Sequence, residues 1–145
     1  ASDRLNVHWN SYLAPVPAAC DEEVLELMKR AGSGLIIMKG IDGQDLEAES
    51  LEDRLEPLKE ICQSCDSGLH FIISQYFGEP GETAETVESK LQFLREINPA
   101  LANLRVGVRI RPGTPVAQVA LQEGLITDES DLIRPTFYLE NSVTE

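Results

Sequence analysis

The sequence predicts an α/β fold of repeated strand–turn–helix units, a partial (β/α) TIM-like barrel with helices on its outer face. Three observations carry this reading. Apolar runs at residues 5–10, 35–39, 70–77 and 105–110 begin 30, 35 and 35 residues apart, the length of a βαβ unit. Helical patterns follow them, so the strands run parallel through right-handed crossovers. The first strand leads into Ser11-Tyr12-Leu13-Ala14-Pro15, not the glycine-rich phosphate turn of a doubly wound sheet. A closed barrel needs about six to eight strands, so four units read as half of a larger domain.

Taken in order, the first strand alternates Leu5, Val7 and Trp9 with Asn6, His8 and Asn10, and Tyr12 continues the polar side. The first helix is expected over 21–30. Val24, Leu25, Leu27 and Met28 are its apolar residues, acids open it and Lys29-Arg30 close it, in keeping with the helix dipole. Gly32 stops it. The second strand, 35–39, puts Lys39 and Asp42 on opposite faces. A second helix is expected over 51–66, kinked or restarted at Pro57. The third strand offers His70, Ser74 and Tyr76 on one side and Phe71, Ile73 and Phe77 on the other, with Gln75 breaking the pattern. The third helix, 82–97, places Val87, Leu91 and Leu94 on one face and ends at Asn98-Pro99. In the last strand Val106, Val108 and Ile110 alternate with Gly107, Arg109 and Arg111. A short helix over 116–122 ends at Gly124, and the tail from 135 is aromatic, then polar.

The composition is that of one globular domain, 145 residues with 42% hydrophobic and 26% charged content. A net charge of −13 disfavours nucleic acid and anionic membranes as partners. No apolar run approaches the ~20 residues that span a bilayer. Ala1-Ser2-Asp3-Arg4 leads into a strand-like run without the pattern of a secretory signal. Cys20, Cys62 and Cys65 have no disulfide framework, which suits a cytoplasmic location. Cys62-Gln63-Ser64-Cys65 falls late in a helix, without a second pair or histidines, so a redox or zinc role is rejected. The acidic stretch 42–60 reads as a solvated face.

Polar strand faces are where chemistry is expected. Barrel interiors are mostly Val, Ile and Leu, whereas His, Asn, Tyr, Ser and Arg recur here. Arg109 and Arg111 would point into the lumen and meet a carboxylate or bound anion; the alternative is an edge strand with two solvated arginines. For His8 or His70 taken alone, a satisfied core or surface role outweighs a chemical one. The turn Phe77-Gly78-Glu79-Pro80-Gly81-Glu82-Thr83 opens a helix whose free N–H groups could hold the polar edge of a ligand. Arg111-Pro112-Gly113-Thr114-Pro115 is a second tight turn at the same, functional end of the sheet.

Five segments then resemble radical S-adenosylmethionine enzymes. Gly78-Glu79-Pro80-Gly81-Glu82-Thr83-Ala84-Glu85-Thr86 is similar to the G-x-P-G-E-T-x-E-T that ends the fifth barrel strand. Asp21-Glu22-Glu23-Val24 through Met28-Lys29-Arg30-Ala31-Gly32 resembles the D-E-E-L-x-x-x-M-K-x-A-G helix. Gly40-Ile41-Asp42-Gly43 resembles the segment after strand four, with Gly43 where the family has Ser. Gly107-Val108-Arg109-Ile110-Arg111-Pro112-Gly113-Thr114-Pro115 resembles strand six, with Arg111 where the family has Tyr. Glu123-Gly124-Leu125-Ile126, Asp131-Leu132 and Pro135-Thr136-Phe137-Tyr138 are similar to the subgroup that often carries an N-terminal cobalamin-binding domain.

The resemblance implies that residues 1–145 are the C-terminal portion of a catalytic barrel, equivalent to strands three to six. The family's CxxxCxxC motif is missing, and Cys62 and Cys65 cannot replace it. An intact enzyme would use a 4Fe-4S cluster and S-adenosylmethionine for radical chemistry, or cobalamin-dependent methyl transfer in some relatives. This polypeptide by itself is expected to hold no cofactor and to be inactive. Gly40 and Asp42 would lie by the ribose, Gly78, Pro80 and Gly81 beside the cofactor, and Arg109 and Arg111 near adenine or substrate. A non-catalytic interaction domain, or another barrel enzyme using His8, His70 or Asp42 as acid or base, are the alternatives. The exposed edges of a half-barrel are expected to make the chain self-associate.

Overall fold

The computed structural model describes residues 7–13, 21–42 and 69–143. Four strands, β1 (Trp9–Leu13), β2 (Ser33–Lys39), β3 (His70–Phe77) and β4 (Leu101–Val106), pair in the order β1-β2-β3-β4. All three pairings are parallel, which brings the four C-terminal strand ends to one rim. Among the described residues the sheet stays open. The expected helix over 51–66, with Pro57 and the Cys62–Cys65 pair, lies outside them, as does the expected start of the first strand at residues 5 and 6.

Helix α1 (Glu22–Arg30) begins where Asp21 accepts a hydrogen bond from Glu23 N at 2.8 Å, satisfying a donor that the helix leaves open. Its Leu25 and Met28 pack on the core. Helix α2 (Ala84–Ile97) starts with a reciprocal Thr83–Thr86 capping box and ends at Asn98 in the left-handed conformation. The expected helix face is shifted. Lys90, Phe93, Leu94 and Ile97 are buried, while Val87 and Leu91 are only half-buried. Ile97 must reach Phe71 and Ile73, and the stripe centres on the last two turns.

Strand alternation sets the two faces of the sheet. Ile36, Met38, Phe71 and Ile73 point to the helices and form the core with Ile41, Leu69, Phe93, Leu94 and Ile97. Gln75 and Phe77 continue that face. The opposite face has no helix among the described residues.

The fourth strand corrects the expected span 105–110. β4 begins at Leu101 and stops at Val106, and Gly107 turns the chain at φ +87°, a region that side chains with a Cβ rarely enter. Beyond it, β5 (Val108–Arg109) pairs antiparallel with β6 (Phe137–Tyr138). Helix α3 (Pro115–Gln122) and a 3-10 turn (Glu129–Ile133) pack on that ribbon. Ile110, Ala117, Ala120, Ile126, Leu132 and Tyr138 form its own small core. Ile110 thus turns inward as expected, but within a second lobe. Arg109 and Arg111 leave the parallel sheet and are exposed.

Candidate functional site at the carboxyl rim of the sheet

The open face is arranged in rows across the strands. Asn10, Leu35 and His70 form the row farthest from the rim, and Tyr12, Ile37, Ile72 and Leu101 form an apolar row above it. Next come Lys39, Ser74 and Asn103, and last Tyr76 and Arg105. From the Tyr12–Leu101 row onwards the face turns from apolar to polar and cationic towards the rim. None of the chain's 25 acidic residues lies on these four strands.

At the rim, β2 ends in Gly40-Ile41-Asp42. Gly40 N donates to Ser74 O at 2.9 Å. Gln75, 1% exposed, holds this segment with both ends of its amide. Its Oε1 accepts from Ile41 N at 3.1 Å, and its Nε2 donates to Ile41 O at 2.7 Å and Tyr76 O at 3.0 Å. The contact requires glycine beside it, because a Cβ on Gly40 would stand 2.1 Å from Gln75 Oε1. The residue that breaks the apolar pattern of β3 is thus the one that fixes the neighbouring turn. Asp42 forms an ion pair with Lys39.

β3 ends in the turn from Gly78 to Thr83, four of whose backbone donors are engaged. Glu82 Oε2 accepts from Gly78 N, and Glu82 N donates to Glu79 O at 3.0 Å. Gly81 N donates to Glu140 Oε2 at 2.8 Å, and Thr83 N to Thr86 Oγ1 at 2.9 Å. Under the turn lies Lys90, 1% exposed. Its Nζ is 2.8 Å from Glu79 Oε2, 2.5 Å from Glu82 Oε1 and 3.1 Å from Tyr76 O. A buried ammonium needs such partners, since desolvation otherwise costs several kcal/mol, on the order of 5. Glu79, Glu82, Thr83 and Thr86 of the recognisable motif therefore shape the loop, while half-buried Pro80 and exposed Gly81 are its outward parts.

The C-terminal tail lies over the same turn. Glu140 N donates to Gly78 O at 3.1 Å, and Ser142 Oγ donates to Glu82 O. The Gly81 N–H, as the main cause, holds the Glu140 carboxyl below its ordinary range. Burial pushes the Tyr138 hydroxyl up to about 12, assisted by its hydrogen bond to Glu123. Tyr138 Oη donates to Glu123 Oε1 at 3.1 Å and approaches Glu140 Oε2 at 3.3 Å.

Gly40, Asp42, Gly78, Pro80 and Gly81 thus meet at adjacent strand ends, whereas Arg109 and Arg111 stand on the second lobe. The bend that carries them touches the rim through Gly107 N, which donates to Phe77 O at 2.8 Å. His8 and His70 are exposed, and His70 sits at the end of β3 away from the rim. Sequence reasoning missed the roles of Gln75, Lys90 and Glu140. The first two left a trace, as polar residues on the apolar sides of a strand and a helix; Glu140 left none. Among the described residues no group of His, Cys, Asp and Glu could hold a metal ion, and no helix is long and apolar enough to cross a membrane.

An open parallel sheet with helices on one face and a glycine-bearing rim has a counterpart among solved structures. The chain resembles a radical S-adenosylmethionine methyltransferase. It aligns with TsrM from Kitasatospora setae at a TM-score of 0.59 and 25% identity, over 77% of this chain and 22% of that one. The structure of TsrM holds a tryptophan substrate and the S-adenosylmethionine analogue aza-SAM. This chain therefore spans about a fifth of the length of that enzyme. No family model and no curated protein matches the chain.

Proposed function

We propose that this chain is the C-terminal, rim-bearing part of a radical S-adenosylmethionine catalytic barrel, and that it contributes to the cofactor pocket. The observation that carries the reading is the fold match to TsrM over 77% of the chain, joined to the meeting of Gly40, Asp42, Gly78, Pro80 and Gly81 at one rim. Asp42 would bind the ribose hydroxyls, and the turn held flat by Gln75 would let the nucleoside approach the backbone. Pro80 and Gly81 would flank the cofactor, with Gly78 shaping the loop from beneath. Arg109 and Arg111 would close over adenine or substrate from the second lobe. When bound in an intact enzyme, a 4Fe-4S cluster would supply the electron that cleaves S-adenosylmethionine. The cysteines for it would come from another segment, because CxxxCxxC does not occur here. A cobalamin-dependent methyl transfer is the form of the reaction suggested by the tail's resemblance. The protein's share of the work is positioning and shielding.

The reading is tested on the chain itself. Anaerobic iron and sulfide reconstitution should give no cluster absorbance and no 5′-deoxyadenosine. Equilibrium dialysis should nevertheless retain labelled S-adenosylmethionine, more weakly for Asp42→Asn. A cluster with turnover, or no retention at all, would overturn this division of the site.

A further inference from the structure

We infer that Tyr76 and Arg105 form a carboxylate-binding subsite on the open face of the sheet, selecting a substrate with an extended apolar body and one anionic group. The inference rests on the functional reading above and concerns the substrate rather than S-adenosylmethionine. The two residues face each other across β3 and β4. Arg105 Nη1 donates to Tyr76 Oη at 3.1 Å, and the guanidinium lies 5.6 Å from the centroid of the Tyr76 ring. Hydrogen bond and cation–π contact together orient the guanidinium plane. A guanidinium carries five donors, and one of them is used here. Among the described residues Arg105 has no carboxylate partner, whereas Arg95 pairs with Glu88 and Lys39 with Asp42. In a chain of net charge −13, an aligned arginine on strands free of acids is left for an external anion.

The neighbouring rows define the rest of the ligand. Ser74 and Asn103 supply short polar groups beside the arginine. Two rows further from the rim than Tyr76 and Arg105, Ile72 and Leu101 with Ile37 give an apolar floor four residues along β3 and β4, about 13 Å away. A ligand with its charge at Arg105 reaches that floor when its apolar body extends about 13 Å from the charge. A neutral polar ligand would leave the guanidinium unpaired, and an aliphatic cation would be repelled.

The test titrates phenylacetate and its neutral isostere phenylacetamide into the full chain, read by NMR shifts at β3 and β4. Phenylacetate should bind about tenfold more tightly than the amide, the scale of one charge-assisted bidentate contact, and weaken with salt. Arg105→Gln should bring the two to parity. Tyr76→Phe should cut the preference severalfold, while Arg95→Gln should leave it intact. Equal binding of acid and amide, or an Arg95→Gln effect as large as that of Arg105→Gln, would overturn the inference. So would displacement of phenylacetate by S-adenosylmethionine, which would assign the subsite to the cofactor. Sedimentation of the same samples completes the test. A dimer that phenylacetate dissociates would make the face an interface between two copies and also overturn it. Failure of the Arg105 effect with S-adenosylmethionine still retained refutes this inference alone. Loss of retention with the Arg105 effect intact refutes only the functional reading.

Discussion

At the scale of single residues, the rim depends on a fit between one amide and one glycine. Gln75 satisfies both backbone groups of Ile41 only because Gly40 leaves room for it. Gly40→Ala should destabilise the chain by about 1–3 kcal/mol, since the methyl displaces the amide and leaves buried polar groups unpaired. In a Gln75→Ala background the same change should cost much less. A double-mutant cycle by urea unfolding measures that coupling, and additive effects would show that the contact is not formed. Glu140 is a second such point. Its carboxyl lies below the ordinary value of 4.5, chiefly through the Gly81 N–H. A group lowered on folding contributes stability above its unfolded pKa and loses it as pH falls through its folded one. Wild-type stability should therefore drop below about pH 4.5 more steeply than that of Glu140→Gln. Parallel slopes in acid unfolding titrations would argue against the tail contact.

At the scale of elements, sequence period located most of the fold. The run 70–77 is β3 residue for residue, and the acidic start and basic end of 22–30 delimit α1. The failures share a cause. Leu101-Ala102-Asn103-Leu104 has too little apolar alternation to announce a strand, since β4 sits at an edge and buries little on either face. The cleaner alternation of residues 105–110 reads as one strand because side-chain pattern does not report backbone direction. The turn at Gly107 is visible only as a glycine. Gly107→Ala should cost about 1–2 kcal/mol, because alanine pays to hold a left-handed backbone. Amide exchange should localise the loss to β5 and β6, whereas uniform loss across β1 to β3 would mean that the two lobes are not separate elements.

For the whole molecule, the legible part of the site was the order of its motifs, and the illegible part was how they are held. The glycines and Asp42 of the rim could be named from sequence. The Lys90 ion network, the Gln75 latch and the strap of the tail join residues far apart in the chain, so no local pattern reveals them. The β4 edge has no partner among the described residues, and Leu104 and Val106 on it are 52% and 69% exposed. Unpaired strand edges recruit other strands, so the chain should sediment as a symmetric dimer at micromolar concentration. A monomer would show that this edge is protected.

On the proposed function, the rim of this sheet receives S-adenosylmethionine. Titration of the cofactor into the 15N-labelled chain, followed by amide chemical shifts, tests it most directly. Shifts should centre on Gly40 to Asp42 and Gly78 to Gly81, with His70 at the opposite strand end unmoved. Shifts confined to the second lobe or to the far end of the sheet would contradict it.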